Sequence, residues 1–90
     1  MTSTDQEERV ITRLKQEREK QKLSQLELAY KSDVSQNMIA YIEKGKRTPT
    51  LSTLLKLCDA LNINPSVLFD DENQEKETIK KKIVTLVNRL

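Results

Sequence analysis

Hydrogen-bonding and charge-bearing side chains concentrate in one stretch of this sequence: Gln36, Asn37 and Tyr41, then Lys44, Lys46 and Arg47, with Gln25 upstream. Gln and Asn amides present a donor beside an acceptor, the pattern that matches adenine N6 and N7. Such a bidentate pair contributes ~1–3 kcal/mol of base discrimination. Tyr41 suits a thymine methyl or a phosphate. Lys44, Lys46 and Arg47 are long cations that set affinity and register on a phosphate backbone rather than sequence. Gln25 stands where a helix start offers free N–H groups, an anion site in itself. A plain polar helix face with a solvated basic rim would use the same residue types.

Other chemistries lack their residues. The 90-residue chain has no His, one Cys (Cys58) and one Gly (Gly45). It therefore has no imidazole base, no His/Cys ligand set for zinc and no glycine-rich phosphate loop. An enzyme is not expected, and no cofactor or metal is implied. A single Cys forms no internal disulfide, and no stretch reads as a signal peptide or approaches the ~20 apolar residues of a spanning helix. The expectation is a cytoplasmic protein, at the nucleoid when bound to DNA, without membrane contact. Three aromatics, Tyr30, Tyr41 and Phe69, do not furnish a stacking platform for single strands.

Net charge is +2, unevenly spread. Residues 1–8 carry acids only, residues 9–50 ten bases against five acids, and residues 51–90 six of each. A basic middle block suits a polyanion partner, although a solvated helix surface shows the same excess.

The elements that must position these residues read as helices throughout, an all-α class, because Gly and Pro are scarce and Lys, Glu, Gln and Leu abundant. The first is expected from Thr4, with Glu7 completing a capping box, to about Lys20, with Val10, Ile11 and Leu14 inward. Ser24 and Glu27 make a second box, opening a helix over 25–32 with Leu23 stapled on Leu28. Ser35 caps a third over 36–44, which ends at Gly45 where positive φ is wanted. On that helix Ile39 and Ile42 share one side, and Asn37, Tyr41 and Lys44 the other, with Gln36 at the edge. Thr50 caps a fourth carrying Leu51, Leu54, Leu55, Cys58 and Leu61 as an apolar stripe, Cys58 as a core filler. Asn64 and Pro65 open a short fifth through Phe69. Residues 75–90 form a sixth, with Ile79, Ile83, Leu86 and Leu90 at heptad spacing and Val84 and Val87 widening the face. The chain divides into an acidic lead-in (1–8), a DNA-binding domain (9–69), and an acidic linker with a terminal helix (70–90).

Two short helices joined by only Asp33, Val34 and Ser35 follow the helix-turn-helix plan, whose second helix enters the major groove. The run LSQLELAYKSDVSQNMIAYIEKGKRTPTLSTLLKLCDALNINPSVLF resembles a Cro/CI-type (lambda-repressor-like, XRE) helix-turn-helix domain, and with Arg18 the likeness covers roughly residues 10–69. Leu23, Ser24, Gln25, Leu28, Ala29, Ile39, Glu43, Gly45, Lys46, Arg47 and Pro49 stand at the shared positions. The resemblance implies a compact five-helix bundle that binds operator DNA as a symmetric dimer, usually as a repressor or activator. It implies base contacts for Gln36, Asn37 and Tyr41. Phosphate contacts are implied for Gln25, Ser35, Lys44, Lys46 and Arg47, and a partly buried ion pair for Arg18 and Glu43. Asp33 stands where the family has Gly, and Leu26 where a polar residue is common; Asp tolerates positive φ.

The terminal stripe has two uses. Ile79, Ile83, Leu86, Val87 and Leu90 bury against a second copy, the preferred reading, or against the parent domain. The function expected is a sequence-specific double-stranded DNA-binding regulator acting as a homodimer on a palindromic operator. A second reading is a protein-interaction module, such as an antitoxin or a restriction-modification controller, whose terminal helix engages a protein partner.

Overall fold

A computed structural model describes residues 3–70, which contain five helices and no strand. They are α1 (Ser3–Lys20), α2 (Gln25–Ser32), α3 (Gln36–Glu43), α4 (Leu51–Ala60) and α5 (Ser66–Phe69). The expected terminal helix, with Ile79, Ile83, Leu86, Val87 and Leu90, lies outside the described residues.

Local hydrogen bonds explain most boundaries. Ser24 accepts from the Glu27 N–H while the Glu27 carboxylate accepts from the Ser24 N–H, the reciprocal box that starts α2. Ser35 accepts from the Met38 N–H and Thr50 from the Thr53 N–H, starting α3 and α4. Asn64 accepts from the Ser66 N–H at 2.9 Å, with Pro65 already in helical conformation. The start of α1 differs from expectation: the helix already includes Ser3, so Thr4 lies inside it rather than ahead of it. Asp5 in the first turn complements the positive end of the helix.

Three helices end alike. Lys22, Gly45 and Asn62 adopt φ of 58°, 75° and 55°, just past α1, α3 and α4. In each case the next N–H reaches back to the carbonyl five residues earlier: Leu23 to Arg18, Lys46 to Tyr41, Ile63 to Cys58. These are Schellman closures, which satisfy carbonyls that a helix end leaves open. A Cβ on Gly45 would meet nothing within 4 Å, so its requirement is backbone conformation, not space. Asp33 at φ 59° ends α2 and makes the turn into α3, its N–H donating to the Ala29 carbonyl.

α1 packs on α3 and α5, and α2 on α3 and α4. Leu14, Leu28, Ile39, Ile42, Leu57, Cys58, Leu61 and Leu68 are almost wholly removed from solvent; each buried Leu or Ile side chain contributes about 1.5–3 kcal/mol. Val10, Ile11 and Leu23 pack against this core. The expected α4 stripe needs correction. Leu51 is 71 % exposed and Leu55 43 %, while Leu57 is fully buried. The buried set is Leu54, Leu57, Cys58 and Leu61, which fits one helix face at i, i+3, i+4 and i+7. Leu55 points about 100° away from that face at ~100° per residue, and Leu51, in the first turn, lies two turns short of Cys58.

Candidate nucleic-acid interface

α3 carries the candidate reading face. Ile39 and Ile42 anchor its inner side in the core, so the opposite side is committed to solvent. Gln36 and Asn37 occupy its first turn, fully exposed, and Tyr41 follows one turn on, about half exposed. Two amides and a phenol thus stand on one outward strip at the helix end nearest the turn. Ser35 accepts from the Met38 N–H at 3.1 Å, which leaves its own O–H available to donate outward.

The Schellman closure after α3 sets the cations. Lys44 is the C-cap, Gly45 reverses the chain, and Lys46 and Arg47 both return their N–H groups to the Tyr41 carbonyl, at 2.9 and 3.3 Å. All three basic side chains are exposed. Their number within four residues makes a local positive edge directly continuous with the α3 strip.

Beneath this surface lies a charged lock. Arg18 on α1 donates from Nε to Glu43 Oε2 at 2.7 Å and from Nη2 to Oε1 at 2.9 Å, a fork-on-fork pair between α1 and α3. Its Nη1 donates to the Leu23 carbonyl at 2.6 Å, holding the α1–α2 connection as well. The side chains are only 11 % and 3 % exposed. Burial pushes the Glu43 carboxyl up, but hydrogen bonds from Arg18 and Gln25 and the charges of Arg18 and Lys15 outweigh it, leaving the carboxyl below its ordinary range. The Glu43 hydrogen bond conversely raises Arg18, against burial.

Gln25 joins the same lock. Its Nε2 donates to Glu43 Oε1 at 3.0 Å, so the first residue of α2 is tied to the last residue of α3. The resemblance implied a phosphate role for Gln25 but not this partner, and no short-range pattern encodes it. Two further links were not legible either. Gln21 Nε2 donates to the Leu61 carbonyl at 2.6 Å, bracing α1 against the end of α4. Glu17, buried on α1, accepts from Arg13 at 3.0 Å and Lys20 at 3.3 Å. Cys58 is a buried free thiol that burial pushes up, so it stays protonated in the core. No group of His, Cys, Asp and Glu among the described residues is placed to hold a metal ion, and no described helix is long and apolar enough to cross a membrane.

The arrangement recurs in known proteins. Residues 14–68 match the helix-turn-helix family HTH_3. The chain is 38 % identical over 65 residues to the immunity repressor protein of Bacillus phage phi105, covering 72 % of this chain and 45 % of the repressor. It is 38 % identical over 63 residues to an HTH-type transcriptional regulator of Archaeoglobus fulgidus, covering 68 % of this chain and 90 % of that protein. The fold is similar to that of the restriction-modification controller protein C.AhdI from Aeromonas hydrophila: TM-score 0.65, 36 % identity, 68 % of this chain and 92 % of the other. A Vibrio cholerae transcriptional regulator of the HTH_3 family aligns with TM-score 0.73 and 30 % identity over 81 % of this chain and 41 % of its own. The chain thus spans less than half the length of the phage repressor and of the Vibrio protein. With two helices meeting across the Asp33 turn and a match spanning the whole described core, the chain belongs to the HTH_3 (Cro/CI-type) family of helix-turn-helix DNA-binding transcription regulators.

Proposed function

We propose that this protein is a sequence-specific double-stranded DNA-binding repressor that acts in the cytoplasm as a homodimer on a palindromic operator, with α3 in the major groove. The observation that carries this reading is the exposed Gln36, Asn37 and Tyr41 strip, backed by buried Ile39 and Ile42 and flanked by Lys44, Lys46 and Arg47. In this reading Gln36, Asn37 and Tyr41 meet base edges. Gln25, Ser35, Lys44, Lys46 and Arg47 meet phosphates, and Ile79, Ile83, Leu86, Val87 and Leu90 hold the dimer. Half-sites ~10 bp apart present both third helices to one face of the duplex.

Selection of bound duplexes from a random DNA library, with affinity of the winner followed against salt, tests it. A palindromic consensus is expected, with log K falling by about 0.9 per phosphate contact for each unit of log salt. No enriched sequence, or equal affinity for every duplex, would overturn it.

The likeness to a restriction-modification controller over 92 % of that chain favours a second reading, a controller or antitoxin-like module that also engages a protein. A homodimer that leaves no apolar C-terminal face free would argue against it.

A further inference from the structure

A groove of about 820 Å³ runs between the outer half of α1, the loop after α3 and the end of α5. Val10, Ile11, Leu54 and Leu68 supply apolar lining, and Phe69 lines it while remaining 62 % exposed. Glu7 and Glu8 of α1, both exposed, add an acidic border. An amphipathic channel of this kind calls for an apolar occupant bearing cations.

The sequence beyond the groove has that composition. Residue 70 follows Phe69 directly, and residues 71–78 contain no apolar residue, no Gly and no Pro. Residues 79–90 then carry Ile79, Ile83, Leu86 and Leu90 together with Lys80, Lys81 and Lys82. Stripe and basic run match the floor and the acidic border in kind. The chain leaves the domain at the groove's own rim, so return to the same groove requires an immediate reversal, and the linker has none of the Gly or Pro signals that favour one. Fully extended, those eight residues reach at most about 29 Å, enough to cross to a neighbour.

We infer that the α1–α5 groove receives residues 79–90 of a second copy, each protomer giving one segment and taking one. Exchange of an identical element in this way closes a two-fold dimer. The inference rests on the homodimer reading above and names the surface that completes it.

Sedimentation equilibrium of the full chain tests it with Glu7→Lys/Glu8→Lys, with Lys81→Glu/Lys82→Glu, and with all four substitutions together. Each pair is expected to raise the dimer dissociation constant about ten-fold, and the fourfold variant to recover most of the loss, because charges that meet across an interface are coupled. A second measurement mixes a Gln6→Cys chain with a Thr85→Cys chain of different tag length and adds a short bismaleimide. A covalent product joining the two chains is expected. A dimer indifferent to all charge reversals and giving no mixed product would overturn the groove assignment while leaving dimeric operator binding intact. A monomeric chain that cross-links only within a Gln6→Cys/Thr85→Cys molecule would overturn both.

Discussion

Arg18 and Glu43 are separated by 25 positions in the chain, yet Nε of one stands 2.7 Å from Oε2 of the other. Through that fork α1 holds the last residue of α3, and Glu43 Oε1 in turn holds Gln25 at the start of α2. The candidate reading helix is therefore pinned at its C-terminal end by charge and along its inner side by Ile39 and Ile42. Its outward face is a rigid surface, as base reading needs.

Removing one member of this buried pair strands the other. Arg18→Ala or Glu43→Ala is expected to cost about 3–5 kcal/mol, whereas the double replacement Arg18→Met/Glu43→Leu costs far less, because no unpaired charge remains buried. Urea unfolding of the three variants checks this. Equal losses in single and double variants would show that packing, not charge, is what the pair provides.

Acid should loosen the same lock. The Glu43 carboxyl is held below its ordinary range in the folded chain, so the unfolded state binds more protons and stability rises with pH. The Glu43 contribution is fully present above the unfolded carboxylate value of about 4.3 and is lost as pH falls through the lower folded value. Thermal unfolding between neutral pH and pH 3 should show this fall, with a shallower slope in Glu43→Gln.

Base-reading and phosphate-holding residues should separate by sequence dependence. Gln36→Ala is expected to lose about 1–3 kcal/mol on the selected operator and almost nothing on random duplex. Lys46→Ala should weaken both alike and reduce the salt slope by about 0.9. Titrations on the two duplexes at several salt concentrations decide. Equal loss on both duplexes for Gln36→Ala would remove it from base reading.

Two turn positions respond in opposite directions. Gly45→Ala meets no steric obstacle but places a Cβ at φ 75°, and is expected to destabilise by about 1–2 kcal/mol through backbone strain. Asp33→Gly relieves the same strain at φ 59° and should leave stability unchanged or raise it by about 1 kcal/mol, the flexibility of Gly in the unfolded chain offsetting part of the gain. Thermal midpoints measure both.

What the sequence by itself determined is the grammar of the helices. Ser24, Glu27, Ser35, Thr50 and Gly45 mark ends because each makes or permits a hydrogen bond to backbone no more than a few residues away. Patterning of that range is legible as text. The two-helix unit and the outward placement of Gln36, Asn37 and Tyr41 follow from it, since Ile39 and Ile42 leave only one side free. Tertiary structure alone decided which leucines of α4 are core. Leu51 and Leu55 read as well as Leu57 by spacing, and only the position of α2 against α4 buries the latter. It alone decided that Lys22 and Asn62 take the left-handed conformation that Gly45 announces. It also brought Gln25 to Glu43 across 18 positions and Gln21 to Leu61 across 40. Such partners are chosen by the packing of whole helices, whose energies are summed over the core and carried by no single residue or spacing.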